Sequence, residues 1–140
     1  DVGHGSASFS FAVAKQAISL GILPHTISSD IYCRNRIDGP VRSLANVMSK
    51  FLAIGLSLPQ VIACVTDHAA EGLRLAKKGR LAVGFDADLT IFDLRRQPVL
   101  FTDAENSALQ ADQLLTPLAA IRAGRGYLTE QGRAEHVFDL

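Results

Sequence analysis

A single amphipathic stretch separates Val2-Gly3-His4 from Ile27-Ser28-Ser29-Asp30, and this order admits few folds. From Ser8 to Leu20 the apolar residues Phe9, Val13, Ala14, Ala17, Ile18 and Leu20 recur near helical spacing, with Ser8 or Ser10 able to cap the start and Gly21 to stop it. After Pro24, the run His25-Thr26-Ile27-Ser28-Ser29 contains β-branched residues and closes on an acid, which reads as a short buried strand. Two strand ends joined by one crossover helix are parallel neighbours with a right-handed connection, so both C-terminal ends face the same side of the sheet. His4 and Asp30 are therefore expected on one rim.

Helical signals continue to Gly79. Residues 31–40 form a loop with a turn signal at Asp38-Gly39-Pro40, and Val41, Leu44, Val47, Met48, Phe51 and Leu52 then make a helical stripe ended by Gly55. Ser57 is placed to cap a third helix, with Pro59 in its first turn and Val61, Ile62 and Val65 on the buried side. Thr66-Asp67-His68-Ala69-Ala70-Glu71 starts a fourth, predicted to reach Lys78. Beyond Gly79 the pattern turns extended: a strand at Leu81-Ala82-Val83, a turn at Gly84-Phe85-Asp86-Ala87, and a strand at Asp88–Asp93. Residues 94–118 are read as irregular around a short strand at Val99-Leu100-Phe101. The end is read as a strand from Ala119 through its glycines, turning at Glu130-Gln131-Gly132-Arg133 and returning over Glu135–Phe138. The fold class is α/β, in two portions: residues 1–78 of βα units and residues 79–140 of β structure.

Composition narrows the partners. A chain of 140 residues with 48% hydrophobic and 20% charged residues buries a core of its own. Its formal net charge of +0, with Lys and Arg dispersed, provides no footprint for nucleic acid or an anionic membrane and favours a small-molecule substrate. Cys33 and Cys64 are too few for a disulfide framework or a thiolate zinc site, and free thiols suit a cytoplasmic location. No apolar run reaches the roughly 18 to 20 residues a membrane helix requires. The start, Asp1-Val2-Gly3-His4-Gly5, lacks an initiator methionine and opens where a strand is ending, so a piece of a longer protein is expected.

In a βα barrel the C-terminal rim is where catalytic groups collect, because the loops there vary without disturbing the core. An aspartate at that place can bind a metal or act as a base; it can equally cap the turn that follows. Gly3-His4-Gly5, Ser8-Phe9, Ile27-Ser28-Ser29-Asp30, Gly39-Pro40-Val41 and Met48-Ser49-Lys50 occur in an order that resembles the amidohydrolase superfamily, in its dihydroorotase-like deacetylase branch. The likeness continues through Val65-Thr66 and Gly84–Phe92, covering residues 1–93 and, more loosely, the glycine-rich strand near residue 124. It implies the C-terminal βα units of a (β/α)8 barrel with one or two metals, usually zinc, and a small β-sandwich segment. It further implies that Asp30, at the end of the eighth strand, is metal ligand and catalytic proton acceptor, and that the parent hydrolyses amide, cyclic amide or acyl-ester bonds. His4 and Gly5 fall on the seventh strand as substrate contacts, with His4 alternatively a group behind the substrate or a hydrogen-bonding rim histidine.

The likeness is incomplete. There is no His-x-His pair and no lysine on a strand end, so one carboxylate and at most one imidazole fall short of the three or four protein ligands of a stable zinc site. His25, His68 and His136 read as structural, and His68-Ala69 stands where relatives carry an Asn-Pro or similar pair. The chain alone is therefore expected to hold zinc weakly and to be inactive. The alternative is a noncatalytic interaction or folding unit that pairs with a missing N-terminal part or self-associates through its open strand edge. A serine triad from Ser6 or Ser8, His25 and Asp30 fails, because His25 and Asp30 would stand roughly 15 Å apart along one strand. A helix-turn-helix over residues 41–78 is disfavoured by the balanced charge.

Overall fold

The computed structural model describes residues 1–5, 7–33, 39–130 and 133–139. Strands β1 (Val2–Gly3) and β2 (Ile27–Ser28) pair in parallel, Val2 opposite Ile27 and Gly3 opposite Ser28, with helix α1 (Phe11–Ser19) crossing between them. Side-chain alternation then sorts the strand residues. Val2 and Ile27 pack into the core beneath the helices. On the other face the Asp1 carboxylate accepts hydrogen bonds from the hydroxyls of Thr26 and Ser28, each at 2.7 Å.

Helix α1 is shorter than its periodicity predicts. Phe11 is buried and Ala14 and Ile18 are partly so, whereas Val13 and Leu20 are well exposed, so the stripe facing the core is i, i+3, i+7 from Phe11. Ser10 occupies the N-cap position, but its hydroxyl donates to Glu105 instead of capping the helix. The cap comes from Asp103, whose Oδ2 accepts the Phe11 N–H at 2.8 Å. Gly21 ends the helix at φ +77, a left-handed conformation that costs glycine nothing.

Helix α2 (Leu44–Ala53) begins at Ser43, whose hydroxyl accepts the Asn46 N–H, and α3 (Leu58–Val65) begins at Ser57, whose N–H is taken by the Gln60 side chain. Val47, Phe51 and Val61 from these helices meet Phe9, Phe11 and Ile27 in one core. Burying a side chain such as Phe51 contributes about 1.5–3 kcal/mol. The fourth helix, α4 (Asp67–Gly72), stops well before the predicted Lys78. Thr66 turns its hydroxyl back to the Ile62 carbonyl, Arg74 is left-handed at φ +55, and Leu73 and Leu75 stand in solvent with nothing to reward another turn.

Leu81-Ala82-Val83 forms no strand. Leu81 and Val83 are exposed, and extended backbone without a partner gains no ladder bonds. The segment is held instead by charge: Lys78 pairs with Asp86 and Asp88, Arg80 pairs with Asp67, and Asp88 also accepts the Ala123 N–H.

An antiparallel sheet follows, ordered β3 (Leu89–Thr102), β4 (Ala108–Arg122), β5 (Arg125–Glu130), β6 (Arg133–Asp139). Residues 94–118 are therefore mostly strand. Register shifts between Ile91 and Phe92 and between Arg96 and Val99 let the ladder pass Pro117 and Pro98, which cannot donate to it. The predicted last strand breaks at the first of its glycines and passes through the second, Gly126, within β5. Ala123 and Gly124, at φ +50 and +81, make a two-residue hairpin turn between β4 and β5. Asp38 of the predicted loop turn, and Gln131-Gly132 of the predicted final turn, lie outside the described residues. Phe101 and Leu115 carry this sheet into the core shared with α2. The architecture is mixed α/β with two open sheets.

A candidate active-site rim

Asp30 ends the β2 segment in a left-handed conformation, φ +46, which aspartate adopts more readily than most residues. Its exposed carboxylate lies across β1: a Cβ built on Gly3 would come within 2.0 Å of Asp30 Oδ2. Only glycine at position 3 leaves that carboxylate its place. The Ser28 hydroxyl, bonded to Asp1, lies 3.2 Å from Asp30 Oδ1. Gly5 is packed closely too, with its N–H donating to Ser8 Oγ at 2.8 Å and a Cβ there meeting the same oxygen at 2.8 Å.

The strand ends share a rim, as parallel pairing requires, but His4 leaves it on the opposite face. Alternation sends His4 to the helix side with Val2, where it is fully buried and stacked on Phe9 at 4.5 Å between ring centroids. Its Nδ1 lies 3.2 Å from the Gly5 carbonyl and so carries the proton, leaving Nε2 as the acceptor for Lys50 Nζ at 2.8 Å. Lys50 donates its two other N–H groups to the carbonyls of Pro40 (2.6 Å) and Thr102 (2.7 Å). Three donors meet three acceptors, which is what makes a lysine tolerable with 1% of its surface exposed. Burial, followed by the nearby Lys50 charge, lowers the His4 pKa to about 4. Burial likewise lowers Lys50 to about 8, with Asp103 opposing and Arg42 adding to the effect.

Asp103 belongs to the same buried group. Desolvation would raise its pKa, but the N–H groups of Phe11, Ser107 and Glu105 all point at the carboxylate and hold it below the ordinary value. Ser49, next to Lys50, accepts the Leu115 N–H at 3.0 Å. Met48-Ser49-Lys50 thus fastens α2 to both β3 and β4. Lys50 was legible as a cation inside an apolar stripe, one turn beyond Val47 and beside Phe51; Asp103 carried no local signal.

The other candidates gather elsewhere. His25 and His68 stack in parallel at 4.6 Å, and His68 Nδ1 lies 3.0 Å from the His25 carbonyl. Cys64 is buried, donates to the Pro24 carbonyl and has its thiol pKa raised by burial, while Cys33 is exposed. His136 falls on β6 opposite Leu128. Among the described residues no three His, Cys, Asp or Glu side chains come together to hold a metal, and no helix is long and apolar enough to cross a membrane.

Residues 11–122 match the model of the amidohydrolase family. The chain belongs to that family. An Enterococcus faecalis protein named deacetylase is 41% identical over 127 residues, which cover 91% of this chain and 34% of that protein. Among solved structures, one described as an adenine deaminase superposes with a TM-score of 0.89 at 40% identity, covering 91% of this chain and 34% of its own. Another, described as a dihydroorotase, gives a TM-score of 0.83 at 37% identity over 90% and 34%. This amidohydrolase chain spans about a third of the length of these relatives.

Proposed function

We propose that this chain is the C-terminal part of a metal-dependent hydrolase of amide, cyclic amide or acyl-ester bonds, and that Asp30 is its catalytic carboxylate and one of its metal ligands. Residues 1–78 then complete a (β/α)8 barrel and residues 79–140 contribute to a β-sandwich. The observation that carries this reading is the Asp30 carboxylate laid over Gly3 at the end of two parallel strands, exposed on the face where alternation also places Asp1 and Ser28. A carboxylate so placed fits a hard or borderline cation as a single oxygen ligand, the remaining ligands coming from other segments of the protein. One or two zinc ions bound there would supply Lewis acidity and lower the pKa of a bound water. Asp30 accepts a proton at a carboxylate oxygen and returns it to the leaving nitrogen or oxygen. Gly5, within reach of the Asp30 side chain, lines the substrate side, and His4 supports it from behind.

The test is zinc content and hydrolysis of N-acyl amides, cyclic amides and acyl esters by the protein carrying this chain with upstream sequence, comparing wild type with Asp30→Asn and Asp30→Ala. Loss of turnover of about 10⁴-fold or more, with reduced zinc, is expected for a residue in this role. Unchanged hydrolysis in both variants would sink the assignment.

A second reading, a noncatalytic unit that docks on a missing N-terminal part or on its own copies, draws on the exposed Leu20, Ile22, Leu23, Leu81 and Val83. Size-exclusion chromatography of the 140-residue chain tests the self-association: a stable monomer without exposed apolar surface counts against a sticky interaction unit and against an open barrel fragment alike.

A further inference from the structure

We propose that Lys50 is the positioning residue of the rim, acting through His4 to hold the Gly3-His4-Gly5 segment, and with it the seat of Asp30, against the antiparallel sheet. The inference rests on the hydrolase reading above and concerns the same site. Three contacts carry it. Lys50 Nζ reaches the β1 end through His4 Nε2, the approach to α2 through the Pro40 carbonyl, and β3 through the Thr102 carbonyl. His4 and Pro40, one following each of the paired strands, thus meet on one ammonium, which the antiparallel sheet in turn fixes in place.

The geometry sets what each contact can do. His4 cannot rotate about its stack on Phe9 without breaking either the Lys50 bond or its Nδ1–H bond to Gly5. Gly3, one residue before it, lies against the Asp30 carboxylate, so a shift of the His4 backbone that follows loss of its ring's anchors alters the seat of that carboxylate. The charged groups facing the pair are Asp103, from the β3–β4 hairpin, and Arg42, ahead of α2. Any buried ammonium needs acceptors; what distinguishes this one is that its three acceptors come from three separate segments of the chain.

The experiment compares Lys50→Met, which keeps the stem and loses the donors, with His4→Phe, which keeps an aromatic face on Phe9 and leaves Lys50 its two carbonyls. In the 140-residue chain, imidazole ¹⁵N NMR should show His4 as the Nδ1–H tautomer in wild type and a mixture in Lys50→Met. In the protein with upstream sequence, each variant should lower kcat by about 10–100-fold, as loss of a residue behind a metal ligand does, with KM nearly unchanged. The double variant should be no worse than the poorer single one, because both act along one path. An unchanged tautomer in Lys50→Met, full kcat in both variants, or additive losses would overturn the proposal. If Lys50→Met does not fold, His4→Phe alone decides through kcat. The two readings fail separately: an inactive Asp30→Asn beside fully active Lys50→Met and His4→Phe removes only the positioning role. Full activity in Asp30→Asn beside non-additive losses in the other two removes only the assignment of Asp30.

Discussion

The N–H of Phe11 is capped by the carboxylate of Asp103, a residue 92 positions away, at 2.8 Å. The same carboxylate takes the N–H groups of Glu105 and Ser107 at 2.9 Å each, so one side chain closes the β3–β4 hairpin and starts α1. Asp103→Ala removes a helix cap and leaves buried N–H groups unpaired, a loss of about 2–4 kcal/mol. Ser10→Ala, at the local cap position, should change stability by less than about 0.5 kcal/mol. Urea unfolding of the two variants checks the ranking, and equal losses would contradict the remote cap.

Acid should unfold the chain through His4. Burial first, and then Lys50, holds its folded pKa at about 4 against an ordinary 6.5. Between these values the unfolded chain binds a proton that the folded chain refuses. Stability is therefore full above about pH 6.5 and falls as pH drops toward about 4, by at most about 1.4 kcal/mol per unit. Asp103, whose pKa is depressed, adds a further loss below its ordinary 3.8. Thermal melts across pH 4 to 7 should show the slope in wild type and a flatter profile in His4→Phe.

Two glycines with similar backbone angles should respond differently to alanine. Gly79, at φ +82, passes so close to Thr66 that a Cβ would lie 2.6 Å from its carbonyl oxygen, whereas Gly84, at φ +87, faces open space. Gly84→Ala should cost only the left-handed penalty of about 1–2 kcal/mol. Gly79→Ala adds a backbone clash and should lose more. Midpoints of denaturant unfolding decide this, and identical losses would rule out the close approach.

Ser49→Ala leaves the buried Leu115 N–H without its acceptor and should destabilise by about 1–3 kcal/mol. Hydrogen exchange offers the sharper readout. The Leu115 amide should lose protection ahead of the rest of β4, and retained protection would mean that the ladder alone protects it.

Much of this fold was written in local pattern. The glycine stops at Gly21 and Gly55 and the capped start at Ser57 depend on neighbours a few residues away, which periodicity and capping chemistry report, and the parallel pairing of β1 with β2 follows from the one crossover helix between them. Where a partner lay far along the chain, local pattern misled. The apolar run Leu81-Ala82-Val83 has strand composition and no strand beside it, while the Pro-interrupted stretch of residues 94–118 is strand because bulges in the β3–β4 ladder absorb its prolines. Asp30 was legible as a rim carboxylate from its place at a strand end. Its fit over Gly3, the turning of His4 away to Lys50, and the capping of Phe11 by Asp103 were not legible, because burial and alternation select partners by distance in space, and sequence separation carries no record of that distance.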